Sequence, residues 1–127
     1  MNTLTTKLIA AGLLFIFTLL SGLWLSHSGK PYNSGIFAIH KLIALATIMI
    51  IGISVFNLYK AVDLQTLVEI AVIATSGLLF LALLITGGLL SLNISLSGIA
   101  LKVHQVVPLL ALVASTITIS LLIRANS

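Results

Sequence analysis

The chain has 127 residues, 60% of them hydrophobic and 6% charged, with a mean hydropathy of +1.30. That balance excludes a soluble globule, in which about a quarter of the residues are charged, and indicates an integral membrane protein of a single domain. The formal charge of +4 comes from Lys7, Lys30, Lys41, Lys60, Lys102 and Arg124 against Asp63 and Glu69. No basic run or stacking array points to nucleic acid, and the absence of cysteine excludes disulfides, iron–sulfur ligation and thiolate chemistry.

Four apolar stretches at 8–26, 36–58, 66–91 and 98–123 each approach the ~20 residues that cross a ~30 Å hydrocarbon layer. The expected fold is therefore all-α, an integral membrane four-helix up-down bundle occupying residues 1–127 as one domain and built from two tandem repeated hairpins. Lys7 before the first run imitates a signal peptide. The run exceeds a signal core, lacks an A-x-A-like cleavage site and has its pattern repeated later, so it is expected to be retained.

The segment 27–34, HSGKPYNS, has a turn composition that separates helices one and two. His27 is placed there, in a solvent-facing loop. Trp24 and Tyr32 at one end and Tyr59 at the other suit the aromatic belts of the two interfaces. Ser34 and Ser97, each preceding a glycine and an apolar run, read as helix N-caps. Asn93, Ser95 and Ser97 mark a tight connection between helices three and four, and Glu69 reads as an end charge grouped with Lys60 and Asp63. Lys7, Lys60 and Arg124 fall on one face and Lys30 on the other, which favours cytoplasmic termini in the cell (cytoplasmic) membrane. Counting Lys41 and Lys102, near the starts of their helices, levels the two faces.

Residues 11–26 align with residues 76–91 at a constant offset of 65, with eight identities in sixteen positions, and His40 and His104 follow at an offset of 64. Repeats in membrane proteins often place their binding site at the interface between the copies. Gly12, Phe15, Leu19, Gly22 and Ser26 step by three and four along one helical face, and Gly77, Phe80, Leu84, Gly87 and Ser91 repeat the pattern. Two readings stay open: the small residues let helices approach closely, or the glycines vacate space beside a flat ligand. At 1.5 Å per residue His40 lies ~8 Å and His104 ~9 Å below the same membrane surface, with Gly22 and Gly87 about 6 Å below it.

In an up-down bundle with neighbours ~10 Å apart, the diagonal helices two and four stand roughly 14 Å apart. A planar group fits between them. The expectation is one haem per chain, ligated axially by His40 and His104 and flanked by Gly22 and Gly87. It would be haem b, because no C-x-x-C-H attachment motif is present. Ala44, Thr47, Pro108, Ala111 and Ser115 keep the surroundings compact, and Pro108, by removing the amide hydrogen opposite the His104 carbonyl, is expected to kink helix four. Lys41 and Lys102 adjoin the histidines and either reach the haem propionates or snorkel to the headgroups. Lys30, Tyr32 and Asn33 are further candidates for propionate or quinone-headgroup contacts. The plainer alternative is that each histidine is simply hydrated or hydrogen-bonded near an interface.

The segment IHKLIAL (39–45), with its HK helix start, resembles the prokaryotic cytochrome b561-type membrane cytochromes, and LLSGLWL (19–25) and LLITGGLL (83–90) resemble the small-residue haem flanks of that wider b-cytochrome group. The resemblance implies a four-helix core and electron transfer with quinol or a redox protein partner. In that family four histidines usually ligate two haems. Here only the pair His40 and His104 can be matched, so a second haem is predicted absent. A lone haem near one surface would exchange electrons chiefly on that side.

The lipid bilayer, quinone or quinol and a redox partner are the implied partners, and either a homodimer or a membrane anchor for a separately encoded reductase suits the reading. No nucleophile constellation, metal-carboxylate cluster or phosphate loop marks a self-contained enzyme. Two other classes compete. One is a non-redox membrane subunit or assembly protein whose glycine faces only pack helices. The other is a copper or zinc protein using His27, His40 and His104. A small multidrug transporter fits less well, since no acidic residue lies mid-membrane to exchange protons.

Overall fold

A computed structural model of the chain describes residues 3–29, 32–61, 63, 66–92 and 97–125. Four helices, α1 (Thr3–Ser28), α2 (Ser34–Ala61), α3 (Leu67–Ser91) and α4 (Ser97–Ala125), make up almost all of it, and no strand occurs among the described residues. The shortest has 25 residues and the longest 29, enough to outrun a ~30 Å hydrocarbon layer at ~1.5 Å per residue. All four are apolar enough to cross a membrane. The chain is a multi-pass, all-α membrane protein.

Three of the helices extend beyond their apolar stretches at both ends. Hydropathy marks where side chains meet lipid, whereas backbone hydrogen bonding continues through polar flanks that sit at the interface. One consequence is that His27 belongs to the last turn of α1 and not to a loop. α1 then stops at Gly29, whose φ of 70° is the left-handed conformation that glycine adopts without steric cost, and whose amide donates to the Leu25 carbonyl at 3.3 Å.

The start of α2 also differs from expectation. The Asn33 Oδ1 accepts from the amides of Gly35 at 2.9 Å and Ile36 at 3.1 Å, so Asn33 is the N-cap and Ser34 is already helical. An asparagine side chain reaches the second and third amides as a serine one residue later would not. At α3, Thr66 and Glu69 form a reciprocal capping box: the Glu69 amide donates to Thr66 Oγ1 at 3.3 Å and the Thr66 amide to Glu69 Oε2 at 3.2 Å. Glu69 therefore has a structural task at the helix start. Lys30, Asn93, Ser95 and the side chain of Ser97 lie outside the described residues. α4 runs as one helix from Ser97 through Pro108 to Ala125.

The chain divides into two compact units, Met1–Phe56 and Asn57–Ser127. In the first, Thr18 meets Thr47 and Ser21 meets His40. Later residues of α1 thus face earlier residues of α2, which makes the pair an antiparallel hairpin. In the second, Ser76 meets Thr118 and Thr86 meets His104, and α3 and α4 form a hairpin in the same sense.

The two hairpins bury corresponding positions. α2 buries Thr47, Ile51, Ser54 and Leu58, while α4 buries Ala111, Ser115, Thr118 and Leu122, which lie at the same offset of 64 that separates the histidines. Most of these residues are small or carry a hydroxyl. Lipid tails give helices no hydrophobic reason to associate, so close approach and interhelical hydrogen bonds hold them together. Large side chains such as Leu42, Phe56, Leu67 and Leu78 are exposed, as a lipid-facing surface requires.

The packed face of the first helix is rotated from the expected one. Ala11 and Ser76 are buried, whereas a Cβ built on Gly12 or Gly77 would meet nothing within 4 Å. The stripe of 11, 15, 18, 22 and 25 replaces that of 12, 15, 19, 22 and 26. Both step by three and four, and spacing alone does not choose between adjacent stripes that share two members.

Candidate functional site

Each histidine stands near the start of the second helix of its hairpin, His40 six residues after Ser34 and His104 seven after Ser97, about 9 and 10 Å along the axis. Both are half-buried. In the first hairpin, His40 Nδ1 lies 2.8 Å from Ser21 Oγ. The ring edge faces the neighbouring glycine: a Cβ on Gly22 would sit 3.1 Å from His40 Cε1. Ser21 Oγ donates its own hydrogen to the Thr18 carbonyl at 3.0 Å, and His40 makes a further hydrogen bond with the Thr18 backbone.

The second hairpin builds the same set from different residues. His104 Nδ1 lies 2.9 Å from Thr86 Oγ1, and Thr86 Oγ1 donates to the Ala82 carbonyl at 2.7 Å. A Cβ on Gly87 would sit 3.3 Å from His104 Cε1. A hydroxyl residue followed by glycine on one helix thus engages an imidazole on the other. The hydroxyl satisfies one ring nitrogen, which in a water-poor layer would otherwise cost several kcal/mol. The glycine leaves the space that the ring edge fills.

Gly22 with His40 and Gly87 with His104 were expected to share a layer, and each pair is in direct contact within its hairpin. In each pair the imidazole ring edge occupies the space beside the glycine. Lys41 Nζ sits 4.6 Å from the centre of the Phe37 ring, which stacks on Tyr32 at 5.6 Å with an interplanar angle of 22°. This cation–π contact directs the lysine back towards the helix start, the direction of snorkelling. Lys102 is exposed. Asn33 serves as the α2 cap, and His27 is exposed at the end of α1. Among the described residues no three of His, Cys, Asp or Glu come together to hold a metal ion.

Ser21 and Thr86 are the residues that sequence reasoning passed over. The signal was available: they align at the offset of 65 and, although not identical, both carry a hydroxyl immediately before the repeated glycine. Comparison with protein-family models, with curated proteins and with solved structures found no match to this chain, so the meaning of the site rests on its own geometry.

Proposed function

We propose that the chain is a b-type cytochrome of the cell membrane, with cytoplasmic termini, that holds one haem b through His40 and His104 and passes single electrons between quinol and a redox partner. The observation that carries this reading is the recurrence, once per hairpin, of an imidazole anchored at Nδ1 by a hydroxyl and seated on a glycine. An axial haem ligand needs one ring nitrogen for iron and the other anchored so that the ring orientation is fixed. Each hairpin supplies one such imidazole, so His40 and His104 together would hold one haem. The reading places the chain with the b561-type cytochromes, reduced to a single haem.

When bound, haem would supply reversible one-electron chemistry, with a potential set by its ligands and its burial. The chain's own residues would do the rest. Ser21 and Thr86 hold the imidazoles, and Gly22 and Gly87 admit them close to the neighbouring helix. The apolar helices would exclude water, and Lys41 and Lys102, near the starts of their helices, would supply positive charge for the propionates. A second reading rests on the same hydrogen bonds: each histidine ties its two helices together in a non-redox membrane subunit.

Absorbance spectra of protein purified in detergent from haem-replete cells, oxidised and then reduced with dithionite, decide between them. The cytochrome predicts a bis-histidine b-type spectrum and one haem per chain by pyridine haemochrome. A colourless protein would leave the helix-tying subunit.

A further inference from the structure

We infer that Ser21 and Thr86 set the tautomer of the two histidines, keeping the proton on Nδ1 so that Nε2 presents its lone pair to a metal. The inference rests on the proposed haem ligation for its purpose, but its physical basis is independent of any cofactor. A hydroxyl has one hydrogen to give. Thr86 Oγ1 lies 2.7 Å from the Ala82 carbonyl oxygen and 2.9 Å from His104 Nδ1. If the hydrogen turned towards the imidazole, two oxygens would face each other lone pair to lone pair at the shorter distance. In apolar, half-buried surroundings that repulsion is poorly relieved. The hydrogen therefore goes to the carbonyl, the hydroxyl oxygen becomes the acceptor, and Nδ1 must be the donor.

At His40 the order of distances is reversed, with Ser21 Oγ 3.0 Å from the Thr18 carbonyl and 2.8 Å from Nδ1; there the assignment follows from the hydroxyl giving its single hydrogen to the carbonyl, which leaves its oxygen to accept from Nδ1. A neutral imidazole carries one N–H, so a proton held at Nδ1 leaves Nε2 as the basic nitrogen. A neutral histidine side chain free in water prefers the opposite tautomer, so the hairpins would impose this one. Two hydroxyls of different type, at matching positions, produce the same protonation pattern. Both are positioning residues: they act on a metal only through the ring, and donation from Nδ1–H to oxygen makes Nε2 a stronger electron donor.

The test reads the tautomer directly. Protein labelled with 15N-histidine and purified haem-free in detergent is examined by correlation of the ring nitrogens with the ring carbon-bound protons. His40 and His104 are expected to show the Nδ1–H pattern, with the exposed His27 as the solution reference. In Thr86→Val, which keeps the shape and loses the hydroxyl, His104 is expected to shift towards Nε2–H while His40 stays unchanged. Thr86→Ser is expected to restore the pattern. Ser21→Ala gives a second reading at His40, with a smaller shift because the Thr18 backbone also bonds that residue. Nε2–H at both histidines of the unaltered protein, or no change at His104 in a folded Thr86→Val, would overturn the inference. Because no haem is needed, a colourless protein with Nδ1–H histidines would remove the cytochrome and leave the tautomer assignment standing.

Discussion

Replacing Gly22 with alanine puts a number on the contact between glycine and imidazole. The added Cβ would lie 3.1 Å from His40 Cε1, whereas carbon atoms pack best at about 3.5–4.0 Å. The ring must therefore retreat by about 0.5 Å. A retreat of that size along the contact stretches the bond between Ser21 and His40 from 2.8 Å to the edge of useful geometry, near ~3.2 Å. Overpacking of this kind costs about 1–3 kcal/mol, and it is offset by up to ~1 kcal/mol because alanine favours a helix more than glycine does. Gly12→Ala isolates that second effect, since its Cβ meets nothing within 4 Å. The difference between the two variants should thus be about 1–3 kcal/mol, with Gly22→Ala the less stable. Gly87→Ala, with its contact at 3.3 Å, should fall between them. Reversible unfolding of haem-free protein in mixed detergent micelles measures all three. Indistinguishable stabilities for Gly22→Ala and Gly12→Ala would refute the claim that the glycine exists to seat the ring.

Other substitutions test neighbouring parts of the argument. If His40 and His104 hold haem as proposed, His40→Ala and His104→Ala should each abolish the bis-histidine spectrum, and an unchanged spectrum in either would remove that residue as a ligand. Ser54 is buried and its hydroxyl finds no hydrogen-bond partner among the described residues, whereas its counterpart Thr118 bonds Ser76 at 2.7 Å. Ser76 corresponds to Ala11, so Ala11→Ser should supply the missing partner and stabilise the first hairpin by about 0.6 kcal/mol, the typical worth of such a bond in a membrane. Ser54→Ala should be neutral or stabilising, while Thr118→Ala should destabilise, both read in the same unfolding assay. Thr66→Ala should cost about 1 kcal/mol through the lost cap, and Glu69→Gln should leave both stability and electron transfer unchanged because glutamine also closes a capping box. Loss of activity in a stable Glu69→Gln protein would instead assign that carboxylate to proton transfer.

The helices were legible because a membrane leaves an apolar run few options: every backbone group must find its partner inside the segment. Their ends were less so, as hydropathy reports lipid contact and stays silent on a cap such as Asn33 or on the helical placement of His27. The pairing of each glycine with a histidine could be read from the two nearly equal offsets, which keep Gly22 in step with His40 and Gly87 with His104. Ser21 and Thr86 align at the same offset, but a hydroxyl at such a position has an ordinary explanation. A hydroxyl in a membrane helix ordinarily bonds the carbonyl of the preceding turn and does nothing else; these two do that and also pair with a ring nitrogen.

A comparison of the two hairpins separates packing from function. The first has a hydroxyl contact between Thr18 and Thr47 at 3.4 Å, where the second has Leu83 and Ala111. The second has the bond between Ser76 and Thr118, where the first has Ala11 and a Ser54 with no hydrogen-bond partner among the described residues. Polar contacts that merely join helices therefore differ between the copies, in position and in presence. If the histidines served only that end, one hairpin could equally have managed without its imidazole. Yet the hydroxyl, the glycine and the imidazole occur together in both, with Nδ1 distances of 2.8 and 2.9 Å, although half of the sixteen aligned residues around the two glycines differ. A requirement for two equivalent imidazoles accounts for that pattern, and the proposed ligation of one haem by His40 and His104 would be such a requirement.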